Sequence, residues 1–256
     1  MNSRKLAAFA LLVPFAAAAC GGAEEAAAPD ATANEPAATA PDLSDAGGVA
    51  GSTLFTGEAP SADAIQMAAD PFCQTAHSDA VMSTPVMVDA DGGLMNVVVH
   101  ISGGLEGYAF PDAMDQATLD QAGCVYEPHV LAMQAGQTLI IRNSDDTLHN
   151  VNVQPADNPA FNQGQPLAGM EIERTFENAE VGIAARCDVH PWMGAFISVF
   201  DHPYFSVSSE AGAFSIPMLP PGDYVIEAWH ETLGTMTQNV TVAPNETAAV
   251  SIEFGS

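Results

Sequence analysis

Basic side chains are nearly absent from this sequence, in which 5 lysines and arginines face 32 aspartates and glutamates. The formal net charge of −27 repels nucleic acid and anionic lipid headgroups, so binding to either one through a basic surface is excluded. Such a field speeds the encounter with a cationic partner, although salt screens the attraction. The same charge is equally well explained as a solvated surface suited to saline surroundings.

Long helical periodicity is also missing, because no stretch keeps its apolar residues at the 3.6-residue spacing of an amphipathic helix. Short alternating or β-branched runs recur instead, bounded by Gly, Pro, Asn and Asp. This pattern predicts an all-β protein with one minor helix at residues 62–69. The predicted strands are 49–56, 86–88, 94–102, 130–133, 138–142, 150–153, 181–187, 195–200, 204–208, 213–216, 223–230, 236–242 and 247–254.

The N-terminus has the pattern of a secretory signal peptide. Arg4 and Lys5 precede an apolar stretch, residues 6–19, that is too short to span a bilayer. Residues 17–21 read Ala-Ala-Ala-Cys-Gly and resemble the lipobox of bacterial lipoproteins, in which the cysteine is acylated. We therefore predict a lipoprotein signal over residues 1–20, lipidation of Cys20, and a periplasmic or cell-surface location. The alternative is an ordinary cleavable signal.

Residues 21–48 contain no aromatic residue and consist mainly of Ala, Pro, Glu, Asp and Thr. Such a segment cannot bury enough apolar surface to order itself, so we predict a disordered linker. About 200 residues remain, which suffices for one large or two small domains.

The residues most typical of a chemical function lie at 187–193, which read Cys-Asp-Val-His-Pro-Trp-Met. Cys187, His190 and Met193 bring a thiolate, an imidazole and a thioether into one loop between two predicted strands. A second imidazole, His149, follows the predicted strand 138–142 and a polar turn. Two imidazoles and a thiolate with a weak axial thioether are the ligands of blue-copper sites, whereas zinc rarely takes a thioether.

The loop resembles the copper loop of the cupredoxin family, of the amicyanin and plastocyanin type, in its Cys-x2-His-x2-Met spacing. The resemblance implies a Greek-key sandwich over residues 104–201 and one type 1 copper bound by His149, Cys187, His190 and Met193. It also implies that Asn150 joins the two ligand-bearing stretches by hydrogen bonds. The binuclear copper site of oxidases is excluded, because its loop needs two cysteines. Trp192 either forms an apolar docking patch beside His190 or packs within the loop.

The remaining cysteines leave two possibilities. If Cys20 is acylated and Cys187 binds metal, Cys73 and Cys124 form the expected disulfide in an oxidising compartment. Alternatively, Cys73 and His77 belong to a second metal site.

A second module is indicated by residues 212–230, which contain a Gly-x-Phe strand, a Leu-Pro-Pro-Gly turn and a strand that begins with Tyr224. These features resemble carboxypeptidase regulatory-like domains, which are small transthyretin-like β-sandwiches. The tail is too short for a whole domain, and residues 49–57 and 96–101 look similar to its opening strands. We therefore predict that residues 49–103 and 202–256 form this sandwich and that residues 104–201 are inserted in it.

The predicted function is transfer of single electrons between redox partners, such as a cytochrome c or a periplasmic oxidoreductase. No nucleophile with an adjacent base can be assembled from the sequence, so we predict an electron carrier and not an enzyme. Two alternatives stay open: a cell-surface module that binds carbohydrate or protein around a structural metal, and a copper delivery or storage protein. The histidines without comparable spacing are predicted to be structural or on the surface: His77, His100, His129, His202 and His230.

Overall fold

A computed structural model describes residues 38–83 and 85–255. The predicted signal peptide, the lipidation site Cys20 and most of the predicted linker lie outside these residues. Within the described ranges, no helix is both long enough and apolar enough to cross a bilayer.

The prediction of an all-β protein is confirmed. A single five-residue helix, α1 (Pro71–Thr75), accompanies the strands in the described part of the chain. The strands are β1 (Gly47–Thr56), β2 (Asp63–Ala64), β3 (Met82–Ser83), β4 (Val98–Gly103), β5 (Ala117–Ala122), β6 (Val125–Glu127), β7 (Val130–Gln134), β8 (Thr138–Asn143), β9 (His149–Val153), β10 (Phe161–Gln165), β11 (Met170–Thr175), β12 (Glu180–Arg186), β13 (Gly194–Phe200), β14 (Phe205–Val207), β15 (Ala213–Leu219), β16 (Gly222–His230), β17 (Gly234–Val242) and β18 (Thr247–Gly255).

The central sandwich consists of the strands between residues 117 and 200. One sheet has the order β10-β9-β12-β13-β7 and the other has the order β11-β8-β5-β6. Leu119 and Ile141 from the second sheet share one fully buried core with Val151 and Ile197 from the first. The two sheets therefore pack face to face and bury the apolar side of each strand.

The outer sandwich is built from strands on both sides of the central one in sequence. Its sheets have the orders β15-β1-β18 and β14-β4-β16-β17. Strand β1 pairs antiparallel with β15 and parallel with β18, both of which lie in the C-terminal tail. Val49 and Ile252 from one sheet share a core with Val99 and Ile226 from the other. The chain thus leaves the outer sandwich after β4, builds the central sandwich, and returns.

The two sandwiches meet at a small apolar cluster that includes Val98, Val130 and Phe200. Trp229 of the outer sandwich packs edge-on against Phe196 of the central one, with ring centroids 5.5 Å apart. Gly182 lies beneath Trp229 with a φ of +73°, and a Cβ atom there would lie 2.5 Å from the indole ring. The contact therefore requires glycine at this position.

The connection between β1 and β4 begins with residues 57–83, here named the capping segment. Met67 and Cys73 of this segment belong to the core of the central sandwich. The helix predicted at 62–69 is wrong, since the helix is α1, which begins after Asp70. The Asp70 carboxylate accepts hydrogen bonds from the N–H groups of Phe72 and Cys73, and Pro71 occupies the first turn. A capping carboxylate followed by proline strongly favours the start of a helix. Here it determines the position of the helix, in place of the alanine-rich stretch before it.

Residues before position 49, where the predicted linker was expected to end, take part in backbone pairing. Thr39 exchanges backbone hydrogen bonds of 2.9 Å with Gly107 and Ala109, and strand β1 starts at Gly47. The last residues of the predicted linker are therefore ordered by backbone pairing and not by apolar burial.

Candidate metal centre

The loop between β12 and β13 carries three of the predicted ligands. The N–H of Met193 donates to the carbonyl of His190 at 2.9 Å, and the N–H of Cys187 donates to the carbonyl of Met193 at 3.2 Å. The N–H of His190 points at Cys187 Sγ from 3.4 Å. These bonds close the loop on itself, and the three side chains are buried, with 3%, 2% and 2% exposure for Cys187, His190 and Met193.

His149, the first residue of β9, approaches this loop from the neighbouring strand and is fully buried. Its Nδ1 atom lies 2.9 Å from Nδ1 of His190. The Cys187 Sγ atom lies 3.9 Å from the same His190 nitrogen. Donor atoms of the three residues all lie within 4.8 Å of one another. The structure therefore brings two imidazole nitrogens and one sulfur together.

Two carboxylates determine which nitrogen of each imidazole faces inward. Asp145 Oδ2 lies 2.8 Å from His149 Nε2, and Asp70 Oδ2 lies 3.2 Å from His190 Nε2. An ionised carboxylate only accepts hydrogen bonds, so each Nε2 carries a proton and each Nδ1 is left to face the other histidine. Two facing nitrogen lone pairs repel unless a proton or a cation lies between them.

The ionisation of these groups supports that interpretation. Burial lowers the pKa of His149, but hydrogen bonds and charge interactions with Asp145 and Cys187 outweigh it and raise the value to about 9. Without metal, a proton therefore lies between the Nδ1 atoms of His149 and His190, at the position where a cation fits. Burial raises the pKa of the Cys187 thiol, whereas hydrogen bonds from His149 and from backbone N–H groups bring it below its ordinary value. A thiol that readily becomes a thiolate is the form that binds a soft metal.

Asn150 joins the two ligand-bearing stretches, as the resemblance implies. Its Oδ1 accepts a 2.7 Å hydrogen bond from the N–H of Asp188 and lies 3.4 Å from Cys187 Sγ. Its Nδ2 donates to the carboxylate of Asp188 at 3.1 Å. Asn152 and Asn162 donate to the same carboxylate at 3.0 and 2.7 Å. This polar cluster holds the ligand loop against β9 and β10.

Cys73 and Cys124 form a disulfide with an S–S distance of 2.04 Å. Because both sulfurs are used in that bond, neither is a thiolate ligand. His77, which the alternative interpretation paired with Cys73, instead places Nε2 2.6 Å from the carbonyl oxygen of Gly123. Among the described residues, Cys187 is the cysteine outside a disulfide.

Trp192 lies half-buried inside the loop. Its indole N–H donates to the carbonyl of Cys124 at 3.0 Å, and its ring centroid lies 5.0 Å from that of His190. These contacts agree with the interpretation in which Trp192 packs within the loop.

Four other histidines have partners away from this cluster. His100 faces Glu227 at 3.4 Å and His129 faces Glu231 at 2.5 Å. The Nδ1 atoms of His202 and His230 accept hydrogen bonds from nearby backbone N–H groups.

The donor set fits a copper ion. The Nδ1 atoms of two imidazoles, a readily ionised thiol and a buried methionine in the same loop are the donor types of trigonal copper sites with a weak axial thioether. Sequence reasoning missed Asp70, Asp145 and Asp188, which hold these ligands. One available signal was the position of Asp145 and Asp188 within four residues of a predicted ligand.

Part of this chain is similar to several solved structures. A copper-containing nitrite reductase from Thermus scotoductus SA-01 is 21% identical with a TM-score of 0.31, over 39% of this chain and only 25% of that chain. A purple cupredoxin from Nitrosopumilus maritimus is 25% identical with a TM-score of 0.28, over 33% of this chain and 99% of its own. An oxidised amicyanin with a proline-to-glycine substitution is 22% identical with a TM-score of 0.30, over 40% of this chain and 97% of its own. No family model and no curated protein matches the chain.

Proposed function

We propose that His149, Cys187, His190 and Met193 bind one type 1 copper ion and that the protein transfers single electrons between redox partners. The observation that carries this proposal is the meeting of two imidazole Nδ1 atoms, 2.9 Å apart, beside a buried thiol. No other pair of histidines in the described residues has facing ring nitrogens beside a free cysteine.

Copper, when bound, supplies one-electron chemistry through its Cu(II) and Cu(I) states. The sulfurs of Cys187 and Met193 suit Cu(I), and the imidazoles suit either state. The hydrogen bonds that Asn150 makes, and those that the two carboxylates accept from the imidazoles, hold the donor atoms in place without metal. Donors that need to move little between the two copper states would allow fast electron transfer.

A carrier fits the site better than an enzyme does. The four proposed ligands would all come from the chain itself, whereas catalytic metal sites keep a position open for water or substrate. His149, Cys187, His190 and Met193 are each 3% exposed or less, so a substrate cannot reach the metal without moving the loop.

Covalent chemistry and charge support a proposal for the location and the partner. The disulfide between Cys73 and Cys124 is typical of an oxidising compartment, which agrees with export and with a lipid anchor at Cys20. The net charge of −27 favours a basic redox partner, such as a cytochrome c, or a periplasmic oxidoreductase with a basic docking surface.

We further propose that the outer sandwich is a carboxypeptidase regulatory-like module that serves as a scaffold. The turn at residues 219–222 connects strands β15 and β16, which lie in different sheets, and this strand-turn-strand arrangement supports the proposal. Determination of the fold of residues 49–103 joined directly to 202–256 tests this, because an inserted central sandwich leaves a foldable remainder.

The test of the copper assignment is the visible spectrum of the full chain after addition of Cu(II). We expect an intense thiolate-to-copper charge-transfer band that Cys187→Ser abolishes and His149→Gln strongly weakens. His202→Gln is the matched control, because it removes a buried imidazole outside the cluster and should leave the band intact.

Three results would contradict the proposal. A band that persists in Cys187→Ser refutes the ligand assignment. A colourless protein that binds zinc tightly favours the binding module with a structural metal. Rapid transfer of Cu(I) to a chelator, without electron transfer to cytochrome c, favours copper delivery.

A further inference from the structure

The outward nitrogen of His190 does not face solvent. His190 is 2% exposed, and its Nε2 lies 3.2 Å from Asp70 Oδ2 and 3.7 Å from Cys73 Sγ. Asp70 and Cys73 both belong to the capping segment, which is part of neither sheet of the central sandwich. This segment therefore covers the edge of the imidazole that is opposite the proposed metal.

Asp70 is held rigidly in that position. Its Oδ1 accepts from the N–H groups of Phe72 and Cys73 at 2.8 and 3.3 Å. Its Oδ2 accepts from the Thr147 hydroxyl at 2.9 Å as well as from His190. Thr147 lies two residues before the ligand His149, so the carboxylate contacts both ligand-bearing stretches.

The disulfide connects this carboxylate to the one on the other imidazole. Cys124, which is bonded to Cys73, donates its N–H to Asp145 Oδ2 at 2.7 Å. The same oxygen lies 2.8 Å from His149 Nε2. Each half of the disulfide thus adjoins one carboxylate, and each carboxylate adjoins one imidazole.

We infer that Asp70 is a positioning residue for the metal and that the Cys73–Cys124 disulfide keeps it against His190. A carboxylate on the far nitrogen fixes the tautomer of a ligating imidazole and makes the imidazole a stronger donor. A stronger nitrogen donor stabilises Cu(II) more than the softer Cu(I). Asp70 therefore lowers the reduction potential, an inference that rests on the proposed copper site.

The test is the midpoint potential of the copper-loaded full chain. Asp70→Asn keeps the size and the oxygen that caps α1 but removes the charge beside His190. We expect the Cu(I)/Cu(II) ratio at a fixed potential to rise about tenfold, which for one electron is a positive shift of about 59 mV. Thr147→Val, which removes one bond to Asp70 and leaves the cap, should shift the potential in the same direction by less.

The matched control is Asp89→Asn. Asp89 caps a turn of the outer sandwich through bonds to the N–H groups of Asp91 and Gly93. Asp89→Asn changes the net charge by the same amount as Asp70→Asn, and Asp89 contacts neither imidazole. A shift as large as that of Asp70→Asn would assign the effect to overall charge and overturn the inference.

Two further measurements separate this inference from the copper assignment. In the metal-free protein, ¹⁵N NMR should show His190 protonated at Nε2, and Asp70→Asn should populate the other tautomer. The double variant Cys73→Ser, Cys124→Ser should keep the charge-transfer band and move the potential upward. If the wild type has the band but Asp70→Asn, Thr147→Val and the double variant leave its potential unchanged, the inference fails and the proposed function stands. If the wild type has no band, the proposed function itself fails.

Discussion

Replacement of Asn150 by alanine tests whether the ligand loop is held by the polar cluster around Asp188. The change removes three hydrogen bonds between nitrogen and oxygen atoms: one from the N–H of Asp188 at 2.7 Å, one to its carboxylate at 3.1 Å and one to Asn162 at 2.7 Å. It also removes the weaker 3.4 Å bond from Cys187 Sγ. Each contributes about 1 kcal/mol net, and the bond to the charged carboxylate somewhat more. We therefore expect the unfolding free energy of the metal-free protein to fall by about 3 kcal/mol.

Urea denaturation of the metal-free chain measures this loss, and a copper titration measures its consequence for the site. We expect copper affinity to fall about 10- to 100-fold, because Asn150 holds the loop in its binding conformation. Asn152→Ala is the matched control. Asn152 donates to the same carboxylate at 3.0 Å, but this bond is exposed to solvent, whereas the Asn150 bonds are partly buried. Its removal should therefore cost less than about 1 kcal/mol. Equal losses in the two variants would refute the role assigned to Asn150.

Three more predictions concern other contacts. Burial lowers the pKa of His129, but Glu231 outweighs burial and raises this pKa above its ordinary value. The ion pair therefore stabilises the fold fully below about pH 6.5. Its contribution is lost as the pH rises through the raised pKa. Glu231→Gln should therefore lower the free energy of unfolding by about 1 kcal/mol below pH 6.5 and by little at alkaline pH. This value already allows for solvent screening, because about a third of the His129 side chain is exposed. Gly182→Ala should cost more than about 1 kcal/mol in thermal unfolding, because φ is +73° and the new Cβ meets Trp229. Met193→Leu should keep the charge-transfer band and raise the potential in a redox titration.

Each of these three has its own control. A pH-independent loss in Glu231→Gln would contradict the ionic contribution of the pair. Gly164→Ala, where the nearest atom is 4.0 Å from the added carbon, should be nearly neutral, and a cost equal to that of Gly182→Ala would refute the steric argument. Met133→Leu alters a buried core methionine and should leave the potential unchanged.

Much of the central sandwich was predictable because its inner strands carry regular apolar alternation. Strands predicted at 138–142, 150–153 and 195–200 lie within one residue of β8, β9 and β13. Strands β10 and β11 were missed, since both lie at sheet edges and have polar sequences with half-exposed faces. Strand β5 was missed for another reason: buried Gln121, which bonds to Gln165 at 2.7 Å, interrupts its apolar pattern.

The ligand set came from short-range spacing and from the resemblance to cupredoxins, and the structure brings His149, Cys187 and His190 together. The carboxylates that lie beside the two imidazoles were not predictable in the same way. Asp70 lies 120 residues before His190, and it is one of 32 acidic residues with no local mark of function. Only folding of the capping segment over the loop places it beside the imidazole.

X-ray absorption at the copper edge tests the central claim most directly, because it identifies the atoms around the metal in the loaded full chain. We expect two imidazole nitrogens and one short copper–sulfur bond, with the sulfur lost in Cys187→Ser. Copper surrounded by oxygen atoms, with no sulfur neighbour in the wild type, would contradict it.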